Sequence, residues 1–110
     1  MSAKDTLSQA GIDAALTGLP DWEYRAGALV TVYKLPTSAA ALELIAAIGQ
    51  IAEEMDHHPD LDWRYNRVFV LFTSHDAGAA VSTRDIRAAG RCSEAAAAAG
   101  ATAQPERYPG

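Results

Sequence analysis

Apolar and polar positions alternate along the chain in a way that predicts seven elements, in the order α-β-β-α-β-β-α. The clearest signal is an apolar stripe at helical spacing, formed by Leu44, Ile48, Ile51 and Met55. Thr37 or Ser38 can cap this helix at its start. Pro59 disfavours the α conformation at the preceding residue, so the helix should end near Asp56 or His57. We expect the stripe to pack against a sheet.

Two further helices are predicted, one near each end of the chain. The first covers residues 7–17, with Ser8 as its candidate N-cap and a glycine–proline stop signal after it. The last begins at Ser82 and Asp85, which stand at capping-box spacing. It then runs through an alanine-rich stretch and ends at Gly100.

The remaining elements are predicted to be two β-hairpins. Residues 22–25 and 29–35 form the first, and residues 62–65 and 68–74 form the second, because both pairs are rich in aromatic and β-branched residues. Asn66 is expected to adopt the left-handed backbone of the second turn. Both faces of the last strand are largely apolar. One face should meet the helices, and the other a partner chain or a ligand.

Together these elements predict a single α+β domain. Its expected architecture has two layers: a four-stranded antiparallel sheet and three helices packed on it. The 110 residues fit one domain, which we place at residues 1–100. Residues 101–110, with two prolines and a polar middle, are predicted to form a flexible C-terminal tail. The pattern leaves the strand order open.

Composition and charge exclude several classes of function. The formal net charge is −5 and no run of Lys or Arg occurs, which argues against nucleic-acid binding. The single cysteine, Cys92, allows neither an intrachain disulfide nor a cysteine-based zinc site. Residues 1–5 lack the apolar run of a signal peptide, and no segment reaches membrane-spanning length. We therefore expect a cytoplasmic protein without membrane contact.

Three histidines, all between positions 57 and 75, are the candidate chemistry. His57 and His58 are adjacent at the end of the amphipathic helix, and His75 ends a strand. Helix ends and strand ends meet at the rim of a layered domain, where pockets form. Because histidine changes charge near neutral pH, such a cluster can hold an acid and a base together.

Each histidine also has a simpler interpretation when it is read alone. His57 can interact with the helix dipole, His58 can be an exposed turn residue, and His75 can be an ordinary strand-end side chain. A metal set that adds Glu53 to the histidines is conceivable. However, the His-x-x-x-His pair expected on a helix is absent, so we predict no metal site.

The spaced motif around the histidines is more specific than the histidines themselves. Residues 53–59 (EEMDHHP), 65–68 (YNRV), 73–76 (TSHD) and 82–85 (STRD) together resemble the signature of the pterin-4a-carbinolamine dehydratase family. In that signature three positions separate an acidic or similar residue from His-His-Pro, and an aromatic residue, a further His and an Asp follow. Residues 19–22 (LPDW) and the hairpin after them are also similar, so the resemblance covers nearly the whole domain.

The resemblance implies elimination of water from 4a-hydroxytetrahydrobiopterin, which gives a quinonoid dihydropterin. In that interpretation His57 and His75 are the acid/base catalysts, and His58, Glu53 and Asp85 bind the substrate. No cofactor or metal is implied, and the expected assembly is a homodimer or homotetramer. Glu53 is either a solvated surface residue or orients His57 through an i, i+4 contact. Asp85 is a helix cap first and a site residue second.

The sequence departs from the family pattern at two places. Many relatives carry Trp where this chain has Leu61, and the loop over residues 77–81 is one residue longer, with alanines in place of paired glycines. Since glycine allows close approach to a flat ligand, the altered loop should affect the fit of the pterin.

The alternative function is that of a non-enzymatic protein-binding or assembly factor on the same fold. The three retained histidines favour the enzyme.

Overall fold

The computed structural model describes residues 6–74 and 80–109, and its elements follow the predicted order. They are α1 (Gln9–Leu16), β1 (Glu23–Arg25), β2 (Ala28–Lys34), α2 (Ser38–Met55), β3 (Asp60–Arg64), β4 (Arg67–Phe72), α3 (Thr83–Ala98) and a short β5 (Thr102–Ala103). The α+β class with three helices and an antiparallel sheet is confirmed. Within the described residues, no helix has the length and apolar character needed to cross a bilayer.

The sheet is antiparallel, with the strand order β1-β2-β4-β3. β4 pairs with β2 from Leu29↔Phe72 to Lys34↔Arg67. The opposite edge of β2 is shared by two short strands: β1 pairs with residues 28–30, and β5 pairs with Tyr33 and Lys34. β3 is the edge strand at the other side, and all five of its residues are exposed.

The helices cover one face of the sheet. Strand alternation sends Leu29 and Tyr33 of β2 and Val68, Val70 and Phe72 of β4 into this layer, and all are buried. Complete burial of one such side chain contributes about 1.5–3 kcal/mol. The predicted stripe of α2 meets them: its first three members are buried, and the fourth is partly buried against the core. α3 contributes small side chains to the same core, Ala88, Ala89, Cys92 and Ala96.

Both hairpins close through two-residue turns that use left-handed backbone. Ala26 (φ 48°) and Gly27 (φ 86°) both have positive φ, which is the type I′ geometry that suits the twist of paired strands. In the second turn the left-handed residue is Tyr65 (φ 54°), so the prediction that placed it at Asn66 is wrong. The Asn66 side chain instead donates to the carbonyl of Leu35 (2.9 Å), which ties the turn to the end of β2.

The segment predicted to be a flexible tail makes specific contacts with the sheet. Thr102–Ala103 forms β5, and the backbone N–H of Gln104 donates to the carbonyl of Val32 at 2.7 Å. A short 3₁₀ turn follows at Pro105–Arg107. The polar composition was misleading because this segment pairs with β2, about seventy residues earlier in the chain.

Candidate functional site

The end of α2 directs the two adjacent histidines into different environments. Asp56 adopts the left-handed conformation (φ 50°, ψ 45°). The N–H of His57 bonds the carbonyl of Ala52 (3.0 Å), and the N–H of Asp56 bonds that of Glu53 (3.4 Å). The first is the 6→1 bond and the second the 5→2 bond of a Schellman motif, which ends the helix and turns the chain at Asp56. The helix therefore ends where Pro59 predicts, and His57 turns towards the core.

His57 is buried and paired with Asp85. The residue is 7% exposed, and its ring stacks on Phe72 with a centroid separation of 5.6 Å and an interplanar angle of 23°. Its Nε2 lies 2.6 Å from Oδ1 of Asp85, a residue with no exposed surface. A histidine and a carboxylate far apart in the sequence therefore form one buried pair.

The second oxygen of Asp85 is held by a set of donors at the start of α3. Oδ2 accepts from the backbone N–H of Ser82 (2.8 Å) and from the hydroxyls of Ser74 (2.8 Å) and Ser82 (3.3 Å). The two hydroxyls lie 2.7 Å apart. The N–H can only donate, so Oδ2 is an acceptor and the bond confirms the capping-box prediction.

The pairing with Asp85 bears on the tautomer of His57, because an ionised carboxylate only accepts hydrogen bonds. With Oδ1 of Asp85 also an acceptor, Nε2 of His57 carries a proton that points at the carboxylate. Nδ1 is then the ring nitrogen that can gain or release a proton. The carboxylate of Asp85 has no exposed surface, and it contacts the His57 ring from within the core.

His58 pairs with a different carboxylate, at the surface. Its Nε2 lies 2.5 Å from Oε2 of Glu53, and the two side chains are 58% and 74% exposed. Of the two interpretations of Glu53, the structure matches the exposed surface residue, because the Schellman turn carries His57 inward and leaves His58 on the open side as the partner of Glu53. Solvent screens such an exposed pair, so it contributes little to the stability of the fold.

The third predicted catalyst, His75, lies outside the described residues, as do residues 76–79 of the altered loop. The chain on either side is well anchored. The N–H of Ser74 donates to the carbonyl of Ala80 (3.0 Å), and the carbonyl of Val81 accepts from Leu7 (2.9 Å). These bonds fix both ends of the segment beside the buried pair.

Sequence reasoning missed one member of this network, Ser74. Strand alternation was sufficient to find it, because Ser74 continues the inward face of Phe72 past the end of β4. A polar residue at an inward position needs a buried partner. Ser74 is 1% exposed and finds that partner in Asp85.

In the described part of the chain, no three His, Cys, Asp or Glu side chains come close enough together to hold a metal ion. A cavity of about 520 Å³ lies between the α1–β1 connection and α3, and it contains none of the predicted site residues. Its lining includes Gly18, Leu19, Arg87, Gly90, Arg91 and Ser93.

The chain is similar to known proteins over most of its length. Residues 5–95 match the family model described as Pterin 4 alpha carbinolamine dehydratase. A protein of Thermomicrobium roseum is 39% identical over 90 residues, which are 82% of this chain and 96% of the relative. A protein of Mycolicibacterium smegmatis is 40% identical over 83 residues, 76% and 87% of the two chains. Both carry the name pterin-4-alpha-carbinolamine dehydratase as a provisional assignment.

A solved structure is similar as well. The crystal structure of a transcriptional coactivator/pterin dehydratase from Brucella melitensis matches with a TM-score of 0.79 and 28% identity. The match covers 83% of this chain and 98% of the other.

Proposed function

We propose that this chain, which belongs to the pterin-4-alpha-carbinolamine dehydratase family, eliminates water from a 4a-hydroxytetrahydropterin. In this reaction the C4a–O bond breaks, and the hydroxyl leaves with the bonding pair and one added proton as water. N5 gives up its proton, and the pair left on N5 forms the C4a=N5 double bond of the quinonoid dihydropterin. Two proton transfers are needed, and no electrons leave the pterin.

The observation that carries the proposal is the buried His57–Asp85 pair at 2.6 Å. A general acid or base works best when its ring is held in one orientation and one tautomer. Asp85 supplies both constraints at Nε2, and the stacking of the ring on Phe72 restricts its tilt. Nδ1 of His57 is then the atom that we assign to one of the two proton transfers.

The exposed His58–Glu53 pair takes the binding role. His58 lies on the open side of the same helix end, where a ligand can reach its ring, and Glu53 fixes that ring from Nε2. The Glu53 carboxylate can also accept from N–H groups of a pterin. His75 stays the predicted second acid/base group.

The test is to generate the 4a-hydroxypterin with a hydroxylase and follow its decay. We expect the wild type to accelerate decay and His57→Ala to lose about 10²–10⁴-fold in kcat, the usual contribution of general acid–base catalysis. His58→Ala and Glu53→Gln should act mainly on KM. Glu54→Gln is the matched control, since Glu54 is the neighbouring exposed glutamate and pairs with Arg91 instead. A wild-type protein that leaves the decay unchanged would refute the dehydratase proposal.

Assembly and location belong to the same proposal. β3 is an exposed edge strand, and its Leu61 and Trp63 are 38% and 48% exposed, a combination that favours pairing with another chain. We therefore place the contact of a homodimer or homotetramer at β3, in the cytoplasm, where a free thiol such as Cys92 persists. Light scattering should give a multimer for the wild type and a smaller species for Trp63→Lys. A monomeric wild type would contradict this assignment.

A protein-binding role is the second candidate function, since the name of the Brucella melitensis neighbour includes transcriptional coactivator. The exposed β3 edge is also the observation that favours it here. The decay assay separates the two candidates, because a binding protein without dehydratase activity leaves the rate unchanged.

A further inference from the structure

The sheet face opposite the helices is apolar and covered. On this outer face, Val30 and Val32 of β2 and Phe69 of β4 are only 1%, 0% and 8% exposed. They lie outside the core that the helices form. Their cover is the C-terminal strap, which we define as residues 101–109. The 3₁₀ turn of the strap packs against β2.

The first part of the strap docks as an added strand. β1 pairs with only the first half of β2, which leaves the backbone of the second half to β5. The N–H of Gln104 completes this pairing through its 2.7 Å bond to the carbonyl of Val32. Addition of a strand to a sheet edge is a common mode of peptide recognition.

The second part is held through its backbone carbonyls. The guanidinium of Arg25 donates to the carbonyl of Pro105 (3.3 Å) and to that of Tyr108. Glu23 accepts from the same guanidinium at 3.0 Å, so Arg25 is also held by a residue of its own strand. A donor that binds main-chain carbonyls in this way is part of a binding surface for an extended segment.

An aromatic side chain anchors the end of the strap. The ring of Tyr108 lies 6.1 Å from that of Phe69, and the guanidinium of Arg64 lies 4.7 Å from the centre of the same Phe69 ring. Burial raises the pKa of Tyr108, and the carboxylates of Asp60 and Asp62 raise it further. Tyr108 therefore sits over the outer face of β4 and beside β3.

These features resemble a peptide bound to a docking surface more than the end of a domain. The family match covers residues 5–95, so the strap lies outside the matched residues. The chain enters the strap through Gly100 (φ 77°), a residue that can adopt other backbone conformations at little cost.

We propose that the outer face of the sheet is a docking surface for an extended segment, and that the strap of a second copy of this chain can bind there in place of the molecule's own strap. Every contact named above would be the same in the exchanged form, because both copies carry the same surface and the same segment. The molecule's own strap has the advantage of its effective concentration, which is about millimolar for a segment on a short linker, so the strap of a second copy must compete with that value. Exchange of an identical element is a low-cost route to a dimer.

The test uses a labelled peptide with the sequence of residues 101–110 and full-length chains. Tyr108→Ala weakens a molecule's own strap and leaves the docking surface intact, so this chain should bind the peptide at least tenfold more tightly than the wild type. Gln104→Pro, which removes the strand hydrogen bond, should behave in the same way and is the second variant if the first folds poorly. Glu106→Gln, at an exposed strap position, is the matched control and should bind like the wild type.

Two further measurements can contradict the proposal. A peptide carrying Tyr108→Ala, or a chain with Arg25→Ala added to Tyr108→Ala, should lose most of the binding. In the wild type, excess peptide should displace the resident strap and speed the hydrogen exchange of the Gln104 amide. The proposal is overturned if the weakened chains bind the peptide no better than the wild type, if an unrelated tyrosine-containing peptide binds equally well, or if Gln104 exchange stays unchanged at about millimolar peptide.

Discussion

Replacement of Asp85 by asparagine separates the two roles of this residue with almost no change in shape. The Asn carbonyl oxygen can still accept from Ser82 and Ser74 in the place of Oδ2, because those partners are donors there. The amide NH₂ then faces Nε2 of His57 across a distance that is 2.6 Å in the wild type. Two donors cannot share that contact, so His57 must move its proton to Nδ1 and accept at Nε2.

The cost in stability should be moderate and the cost in activity large. A hydrogen bond to a charged group contributes about 1.5–3 kcal/mol and a neutral one about 1 kcal/mol, so the exchange should lower the free energy of unfolding by about 1–2 kcal/mol. For a domain of this size that is a decrease in Tm of roughly 4–8 °C. The altered tautomer removes the proton-accepting site at Nδ1, and we expect kcat to fall about 10²–10⁴-fold with little change in KM.

The assay combines pterin decay kinetics with ¹⁵N chemical shifts of the His57 ring, which report the tautomer directly. Ser74→Ala is the matched control, because it removes one donor from Oδ2 and leaves the contact with His57 in place. It should cost about 1 kcal/mol of stability and reduce kcat only a few-fold. The reasoning fails if Asp85→Asn retains wild-type kcat, if it acts on KM alone as a substrate-binding residue would, or if Ser74→Ala lowers kcat equally.

Two other predictions concern the fold. Ala26→Asn should raise the free energy of unfolding by about 1 kcal/mol in urea titrations, because asparagine tolerates the left-handed backbone that alanine adopts here under strain. An unchanged free energy of unfolding would contradict the strain at Ala26. Burial raises the pKa of the Cys92 thiol to about 12, so about one molecule in ten thousand carries a thiolate at pH 8. Its reaction with a disulfide reagent should stay slow up to pH 9 in the folded protein and become fast in denaturant, and rapid labelling of the native protein would contradict the burial.

Periodicity was sufficient to predict the elements that carry a strong local signal. α2 begins after Thr37 and ends at Met55, where the stripe and Pro59 place its ends, because capping and the apolar face act within the helix itself. β5 could not be predicted in this way. It has two residues, no apolar pattern, and a partner strand about seventy residues away, so only the tertiary fold gives it a place to pair.

The sequence predicted candidate residues for the site but not how they pair. The motif selected His57, His58, His75, Glu53 and Asp85, and the four of them that the structure describes form two pairs. Spacing allowed a contact of Glu53 with His57, because helical geometry places residues four apart on one face. Pro59 predicted that the helix ends here, but neither spacing nor composition predicted the left-handed conformation of Asp56, which separates His57 from Glu53.

The same turn explains why a helix cap and the His57 support are a single carboxylate. Had α2 continued through residues 57 and 58, His57 would have lain one turn after Glu53, and His58 would have followed Met55 along the apolar stripe. The reversal at Asp56 instead brings His57 under the start of α3, where Asp85 already faces inward as the third residue of the helix. Oδ2 caps α3, and Oδ1 remains for the imidazole, so folding of α3 and orientation of His57 depend on one residue. Asp85→Ala removes the cap and the His57 contact together, so a loss of activity in that variant would not separate them. Asp85→Asn keeps the cap and changes the tautomer of His57. A loss of activity in Asp85→Asn therefore assigns the catalytic effect to His57.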